Sequence, residues 1–322
     1  MKLDKRKLLG PLFPVLSRLK HSPLSRQLTE WLHAPLDFAR YCANRPLFFV
    51  ESSGRKGFGA LICEALLLMH CARERGLQPR LVSFNPLYWS GGPGDLFSAC
   101  FAGPIGAGRD LPRWRAMSYR TLHSWPFLPV PQNIAFDQAS ALLQAHFHLS
   151  PALQAIVDAH PAGGAHGVDV SVHYRGTDKA LEAPLVEFSK FFDAVRAALM
   201  ALPAGAGERP ARIFLATDSA DFKASFHQAF EGADISMYEM QTQGDFSRGR
   251  HFSSMSPAEK AQEALVNIHL LSRARTCIRG ASYLSAVSAL LNPSLKTVTL
   301  NRDHWGSGGF PERQLLERER AA

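Results

Sequence analysis

Short apolar segments typical of β-strands alternate with helix-like segments along most of this 322-residue chain, which leaves few folds open. The stretch PLFFVE at 46–51 reads as a strand, and it leads into the glycine-containing loop SSGRKGFG. An apolar-faced helix follows, ends at Gly76 and is succeeded by a second strand, PRLVSF. Strand, loop, helix and strand make a βαβ unit, and repetition of this order predicts an α/β fold with largely parallel sheets.

The second half of the chain repeats the alternation more regularly. We interpret five segments as strands separated by helices: VDVSVHY, RIFLATD, DISMYEM, TCIRG and LKTVTL. One of the intervening helices has a distinct start, because Ser256 can cap it, Pro257 can occupy its first turn and Glu259 adds an acid there. This half is therefore predicted to form a doubly wound sheet of its own.

The segment HPAGGAHG at 160–167 reads as a linker between the two halves. We therefore predict two α/β domains. Residues 1–160, with their basic N-terminal segment, would form the first domain, and residues 165–300 the second. The tail, 301–322, is predicted to pack back on the N-terminal domain.

The charge of the chain favours an anionic partner. Lys and Arg outnumber Asp and Glu by 36 to 28, and the pI is near 9.4. Part of this excess lies in residues 1–30, a segment that suits peripheral association with an anionic membrane but lacks the features of a signal peptide. The five cysteines form no CxxC or metal-binding spacing, so we predict reduced thiols and a cytoplasmic protein, with the inner membrane face as its site of association.

Polar and charged residues follow several of the predicted strands of the second half. Parallel sheets bind ligands beyond the carboxyl ends of their strands, where helix N-termini present free N–H groups to anions. Each residue alone also fits a surface ion pair or a helix cap, but together they predict one crevice suited to a diphosphate. They are His173, Arg175, Asp178, Lys179, Thr217, Asp218, Ser282, Tyr283 and Ser285.

In the first half, Gly57 and Gly59 allow the backbone to approach a ligand or the facing domain closely. The loop that contains them has neither the GxGxxG fingerprint nor a GK[ST] sequence. The chain also has no DxD motif, so we expect no metal and no cofactor, with the negative charge of a diphosphate met by Arg, Lys and N–H groups.

Four segments in order resemble the motifs of the α-1,6-fucosyltransferase group, which includes rhizobial nodulation-factor fucosyltransferases and N-glycan core fucosyltransferases. They are HYRGTDK, IFLATD, ALVNIHLLS and YLSAV, and the segments KGFG and LYWSGG of the first half are also similar. The resemblance spans roughly residues 45–300. It implies a GT-B-like pair of Rossmann-like domains that face each other across a cleft, with residues 1–160 as the acceptor-side domain and residues 165–300 as the nucleotide-sugar domain. It also implies a metal-independent, inverting transfer of L-fucose from GDP-fucose.

The resemblance also implies roles for individual residues. Arg175 would contact the β-phosphate of the donor, and His173 would lie near the guanine. Asp178 and Lys179 would lie near the donor, and Ser285 near the phosphates. Because departure of the sugar leaves extra negative charge on GDP, a positioned guanidinium could stabilise that charge in a dry cleft.

Three positions depart from the family pattern. Gly176 stands where a second arginine is usual, Ser219 where a second acid is common, and Asn267 where an aspartate usually lies near the base. An amide pairs less well than a carboxylate with the N–H groups of guanine. Glu182, one position short of the acidic residue of the family, is the candidate base for the acceptor hydroxyl.

The sequence therefore predicts a glycosyltransferase that moves L-fucose to a glycan or lipid-linked glycan. The same crevice also suits two alternatives. One is a glycosyltransferase that uses another nucleotide sugar, and the other is a catalytically degenerate protein that binds nucleotide sugars or anionic glycans. A nucleic-acid-binding protein is the least favoured class, because no reader motif is present and the basic residues are not interleaved with aromatic ones.

Overall fold

The structure is a computed structural model that describes residues 23–103, 105, 111–122, 128–164, 167–176, 185–203, 209–240, 253–302 and 309–321. The helices are α1 (Pro23–Asn44), α2 (Phe58–Glu74), α3 (Leu96–Cys100), α4 (Tyr119–Leu122), α5 (Phe136–His146), α6 (Pro151–Ala159), α7 (Phe188–Met200), α8 (Ala220–Ala229), α9 (Pro257–Leu271), α10 (Tyr283–Leu291) and α11 (Glu312–Ala321). The strands are β1 (Leu47–Glu51), β2 (Gln78–Val82), β3 (Phe101–Ala102), β4 (Met117–Ser118), β5 (His148–Leu149), β6 (Val168–Tyr174), β7 (Arg212–Thr217), β8 (Asp234–Ser236), β9 (Ala274–Arg279) and β10 (Lys296–Thr299).

The second half forms a five-stranded parallel sheet in the order β10-β9-β6-β7-β8. β6 lies at its centre, and all seven residues of VDVSVHY are buried because β7 and β9 pair with both of its edges and helices pack on the sheet. Counted along this half, the order is 5-4-1-2-3, which is the order of the first five strands of the doubly wound nucleotide-binding fold. The chain reverses direction across the sheet between β6 and β9.

The first half contains a smaller parallel sheet in the order β2-β1-β4, with β1 in the middle. A short antiparallel pair, β3-β5, lies apart from it. The prediction of an α/β fold with parallel sheets is confirmed. DISMYEM is shorter as a strand than predicted, since only Asp234–Ser236 pair with β7.

The helices between the two sheets share one apolar core. α2 packs against α10 and α5, and buried side chains of the first half, such as Leu66, belong to the same continuous cluster as Val287 and Leu290 of the second half. This shared helical layer fixes the position of one sheet relative to the other. The division into domains at 160–165 stays a prediction.

The C-terminal helix α11 contacts both halves. The guanidinium of Arg318 lies 4.0 Å from the centre of the Phe136 ring and donates to the Pro293 carbonyl at 2.7 Å. Gln314 Nε2 is 3.4 Å from Asn133 Oδ1. The tail beyond residue 308 therefore joins the first half to the last strand and helix of the second.

The predicted start of α9 is confirmed in detail. Ser256 Oγ accepts from Glu259 N at 3.2 Å, Glu259 Oε2 accepts from Ser256 N at 2.7 Å, and Pro257 stands at the first helical position. This capping box satisfies two N–H groups that the helix would otherwise leave unpaired. None of the helices that the structure describes has the length and apolar character needed to cross a membrane.

His269 on α9 gives the fold a pH dependence. Burial, with a further contribution from the Arg273 guanidinium, lowers the pKa of His269 to about 4, whereas the pKa in an unfolded chain is about 6.5. Between these values the unfolded chain takes up a proton that the folded protein does not, so stability falls as the pH falls through this window, by up to about 3 kcal/mol. We expect His269→Gln to reduce the loss of thermal stability between pH 7 and pH 4, measured by thermal melts. His227→Gln, at an exposed position, is the control. If it reduced the pH-dependent loss of stability as much as His269→Gln, the role assigned to His269 would be wrong.

Candidate functional site

A cavity of about 820 Å³ opens between the two sheets, at the carboxyl end of the five-stranded sheet. Its volume is in the range of pockets that bind nucleotide-sized ligands. Nine of the residues selected from the sequence line it: Gly57, Gly59, His173, Arg175, Thr217, Asp218, Asn267, Ser282 and Tyr283.

The cavity lies where the strand order of the sheet reverses. Arg175 directly follows β6, and Ser282 follows the adjacent strand β9 as the residue that precedes α10. Ligands of open α/β sheets bind at this reversal point, and the first turn of a helix there presents unpaired N–H groups. Arg175 and the start of α10 thus form a wall suited to an anion.

His173 is buried at the end of β6, and a buried serine contacts its ring on the side away from the cavity. Its Nδ1 is 3.1 Å from Ser285 Oγ, and that oxygen also accepts from Arg279 Nε at 2.9 Å. Ser285, which the resemblance places near the phosphates, is fully buried, and its side chain is not part of the cavity lining. Ser285 therefore contacts the site through His173.

Arg279 and Glu312 form a buried ion pair next to this contact. Both guanidinium Nη atoms donate to the carboxylate, at 2.8 and 2.5 Å, and the two side chains are 0% and 4% exposed. Arg279 also donates to Thr299 Oγ1 and to the Ser282 carbonyl, at 3.1 and 3.0 Å. The pair links α11 to the residues at the start of α10. No local pattern in the sequence indicates this pair, since Glu312 belongs to a highly charged tail.

The loop after β6 explains why residue 176 is a glycine. A Cβ there would lie 2.6 Å from Cε1 of Tyr174, whose ring stacks on Phe222 with centroids 4.0 Å apart. Gly176 N donates to Asp218 Oδ1 at 2.8 Å. An arginine at this position would displace the Tyr174 ring, so this packing leaves no room for a second cation at residue 176.

The polar residues after β7 support the same loop. Thr217 Oγ1 accepts from Ser219 N at 3.1 Å, and Ser219 Oγ caps α8 by accepting from Phe222 N at 3.2 Å. Burial and the carboxylate of Asp218 raise the pKa of Tyr174. Ser219 thus caps a helix, which accounts for a serine directly after Asp218, where the family pattern commonly has a second acid.

Asn267 carries a buried oxygen that has no hydrogen-bond partner among the described residues. Its amide nitrogen donates to the carbonyls of Tyr238 and Glu263, at 3.2 and 2.9 Å, while Oδ1 accepts from no group in the described part of the protein. Because the two carbonyls hold the NH2 group, the oxygen is the atom left for another donor. A buried acceptor without a partner is costly, so this position favours a ligand N–H.

The glycines of the first half have different surroundings. A Cβ on Gly59 would lie 2.7 Å from the backbone carbon of Tyr283, so this glycine permits close contact between the starts of α2 and α10. A Cβ on Gly57 would meet nothing within 4 Å. Gly59 is therefore required where the two halves meet, whereas Gly57 lies on the open cavity surface.

Charged residues of the first half also line the cavity, although we did not select them from the sequence. Glu64 of α2 is 7% exposed, accepts from Ser52 Oγ at 2.5 Å and forms an ion pair with Lys56. The only sequence signal for Glu64 is that it is a single acid within the apolar run ALICEALLLM. This run is typical of a helix in the protein core, and the sequence does not show that the acid itself is buried.

Asp178, Lys179 and Glu182 lie in residues 177–184, outside the described residues, and so do residues 1–22 of the basic segment. Their expected roles stay predictions. Among the residues that the structure does describe, no three His, Cys, Asp or Glu side chains are grouped as metal ligands would be.

The fold resembles solved structures of NodZ α-1,6-fucosyltransferase. One such structure, soaked with GDP-fucose, has a TM-score of 0.55 and 17% sequence identity, covering 80% of this chain and 96% of its own. A second, fucosyltransferase NodZ from Bradyrhizobium, has a TM-score of 0.50 and 19% identity over the same shares. The chain shares their fold. No family model and no curated protein matches the sequence.

Proposed function

We propose that this protein is a metal-independent, inverting glycosyltransferase that transfers L-fucose from GDP-fucose to a glycan or lipid-linked glycan. The observation that carries the proposal is the placement of Arg175 and the start of α10 on one cavity at the reversal point of the sheet. The fold shared with NodZ structures, one of them soaked with GDP-fucose, supports the same donor.

In the proposed reaction the acceptor hydroxyl displaces GDP in one step. Arg175 offsets the charge that develops on the leaving diphosphate, together with N–H groups at the start of α10. His173 and the amide oxygen of Asn267 would hold the base. Asp178 and Lys179 would position donor groups, and Glu182 would take the proton of the hydroxyl.

The wider arrangement is part of the same proposal. Residues 1–160 and 165–300 would act as the two lobes of a GT-B-like enzyme, with the donor held mainly by the second. The protein would work in the cytoplasm, and its basic residues 1–30 would keep it at an anionic inner membrane face where lipid-linked glycans are assembled. Truncation of residues 1–20 without loss of the membrane-bound fraction would contradict this last step.

Nucleotide-induced thermal stabilisation tests the proposed donor. A ligand present at 100 times its Kd adds about 2.7 kcal/mol to the free energy of unfolding, which a thermal melt detects. We expect GDP and GDP-fucose to raise the Tm more than UDP-sugars or dTDP-sugars do, because guanine presents two adjacent donors, N1–H and the exocyclic amine, to the Asn267 oxygen, whereas uracil and thymine present only N3–H.

Equal or larger shifts with the pyrimidine nucleotides would overturn the assignment of the base.

A degenerate binding protein is the second candidate. It is favoured by the absence of a second arginine at Gly176, where the Tyr174 ring occupies the space. GDP binding without transfer and without hydrolysis of GDP-fucose would support it.

A further inference from the structure

A polar cluster on the first half of the protein faces the cavity from the wall that does not carry Arg175. It consists of Ser52, Lys56 and Glu64, and we call it the Glu64 cluster. Ser52 follows β1, Lys56 lies in the loop before α2, and Glu64 projects from the second turn of α2. Lys56 and Glu64 both line the cavity.

The carboxylate of Glu64 is held by donors on both oxygens. Ser52 Oγ donates to Oε2 at 2.5 Å, and the Lys56 ammonium pairs with Oε1. The loop is itself fixed, because Asn85 Nδ2 donates to the Lys56 carbonyl at 3.0 Å. Each carboxylate oxygen can still accept a second hydrogen bond, and the ammonium carries three donors. The cluster therefore offers both acceptors and donors to a ligand.

Stability alone does not account for this arrangement. The Lys56 side chain is 45% exposed, and an ion pair with an exposed partner contributes little to folding. Within α2, Glu64 is the one charged residue among buried positions that are otherwise apolar or glycine. A carboxylate at a buried position of this apolar helix, on the wall of a cavity, is more readily explained by a role in binding a ligand.

Aromatic side chains stand beside the cluster. Tyr88 and Tyr119 line the same cavity, and the Lys56 ammonium lies 5.0 Å from the centre of the Tyr119 ring. Tyr88 Oη accepts from Phe58 N at 3.2 Å, which fixes its ring. Burial raises the pKa of Tyr119, so its hydroxyl stays protonated. Aromatic rings combined with paired polar groups match a sugar, whose C–H faces pack on rings while its hydroxyls hydrogen-bond.

We propose that the Glu64 cluster binds the hydroxyl groups of the acceptor saccharide, with Tyr88 and Tyr119 packing against its ring. The inference rests on the proposed glycosyl transfer. In an inverting displacement the attacking hydroxyl must approach from the side opposite the leaving group. Arg175 places the diphosphate on the second half, so the first half is the wall left for the acceptor.

The test compares the wild type, Glu64→Gln and Lys56→Met in GDP release from GDP-fucose. Release is measured with and without 4-nitrophenyl glycosides of glucose, galactose, mannose and N-acetylglucosamine, and products are identified by mass spectrometry. We expect at least one glycoside to accelerate release and to gain a deoxyhexose in the wild type. Both variants should lose this acceleration at least tenfold, while their Tm shift with GDP stays unchanged.

Asp169→Asn is the matched control, because Asp169 is also a buried, ion-paired carboxylate but lies at the other end of the central strand, bound to Arg209 at 2.9 Å. The proposal is overturned if Glu64→Gln keeps the acceleration within twofold, if Asp169→Asn loses it equally, or if no glycoside affects a wild type that hydrolyses the donor. A wild type that neither gains stability from GDP nor releases GDP from the donor would refute the glycosyltransferase proposal instead.

Discussion

Replacing Glu312 with alanine is expected to lower the free energy of unfolding by about 3–5 kcal/mol, because it leaves the fully buried Arg279 guanidinium without its counter-charge. The same change should lower the Tm on the order of 10 °C. Thermal and denaturant melts measure both quantities. The effect should exceed that of ordinary surface substitutions severalfold, since burial prevents water from replacing the lost carboxylate.

A neighbour on the same helix supplies the control. Glu317 pairs with Arg313, but the two side chains are 58% and 57% exposed. Glu317→Ala should therefore change stability by less than about 0.5 kcal/mol. The double variant Arg279→Met with Glu312→Leu should recover much of the loss, because apolar residues can replace a buried ion pair. A Glu312→Ala protein as stable as Glu317→Ala would mean that the ion pair is absent in solution.

The second large effect is expected at Arg175. Arg175→Ala should reduce transfer from GDP-fucose by about 10²–10³-fold, because the guanidinium offsets charge that appears only as the diphosphate leaves. GDP affinity should fall by about 1.5–3 kcal/mol, the typical contribution of hydrogen bonds to charged groups. Single-turnover kinetics and GDP titration by calorimetry measure the two losses separately.

Arg175→Lys should recover only part of the loss, because lysine keeps the charge but not the planar fork that binds two phosphate oxygens. Arg212→Ala is the matched control: Arg212 lies at the other end of β7, with its Nε 3.5 Å from Asp234. If Arg175→Ala retained transfer and GDP affinity at the level of Arg212→Ala, the phosphate role of Arg175 would be wrong.

Much of the fold could be predicted because its signals are local. Each strand of the second half is a short apolar run between helices, and parallel strands place their carboxyl ends on one edge. That rule is sufficient to bring Arg175, Asp218 and Ser282 towards one crevice from sequence alone. The start of α9 could be predicted for the same reason, since its cap lies within four consecutive residues.

The residues that sequence analysis missed depend on contacts between distant segments. Glu64 sits in an apolar helix, and its function as a cavity residue depends on Ser52 and Lys56, which precede that helix. Glu312 lies in a charged tail, and its buried ion pair is with Arg279, 33 positions earlier in the chain. The resemblance implies a place near the phosphates for Ser285, whereas its side chain turns inward to His173. Side-chain direction at a helix start is set by tertiary packing, which the sequence does not encode locally.

Gly176 and Ser219 show how the structure accounts for departures from a family pattern. Gly176 leaves room for the Tyr174 ring, which packs on Phe222. Ser219 caps α8, the helix that carries Phe222, and adjoins Gly176. These residues stabilise the loop that presents Arg175. With Gly176 in place of a second arginine, Arg175 is the cation at the strand end on which the proposed mechanism depends.

A crystal structure of the protein soaked with GDP tests the central claim most directly. We predict the β-phosphate within hydrogen-bond distance of the Arg175 guanidinium, near the N–H groups that begin α10, with the guanine against Asn267 Oδ1. A nucleotide bound elsewhere, or one whose diphosphate contacts only residues of the first half, would contradict the account.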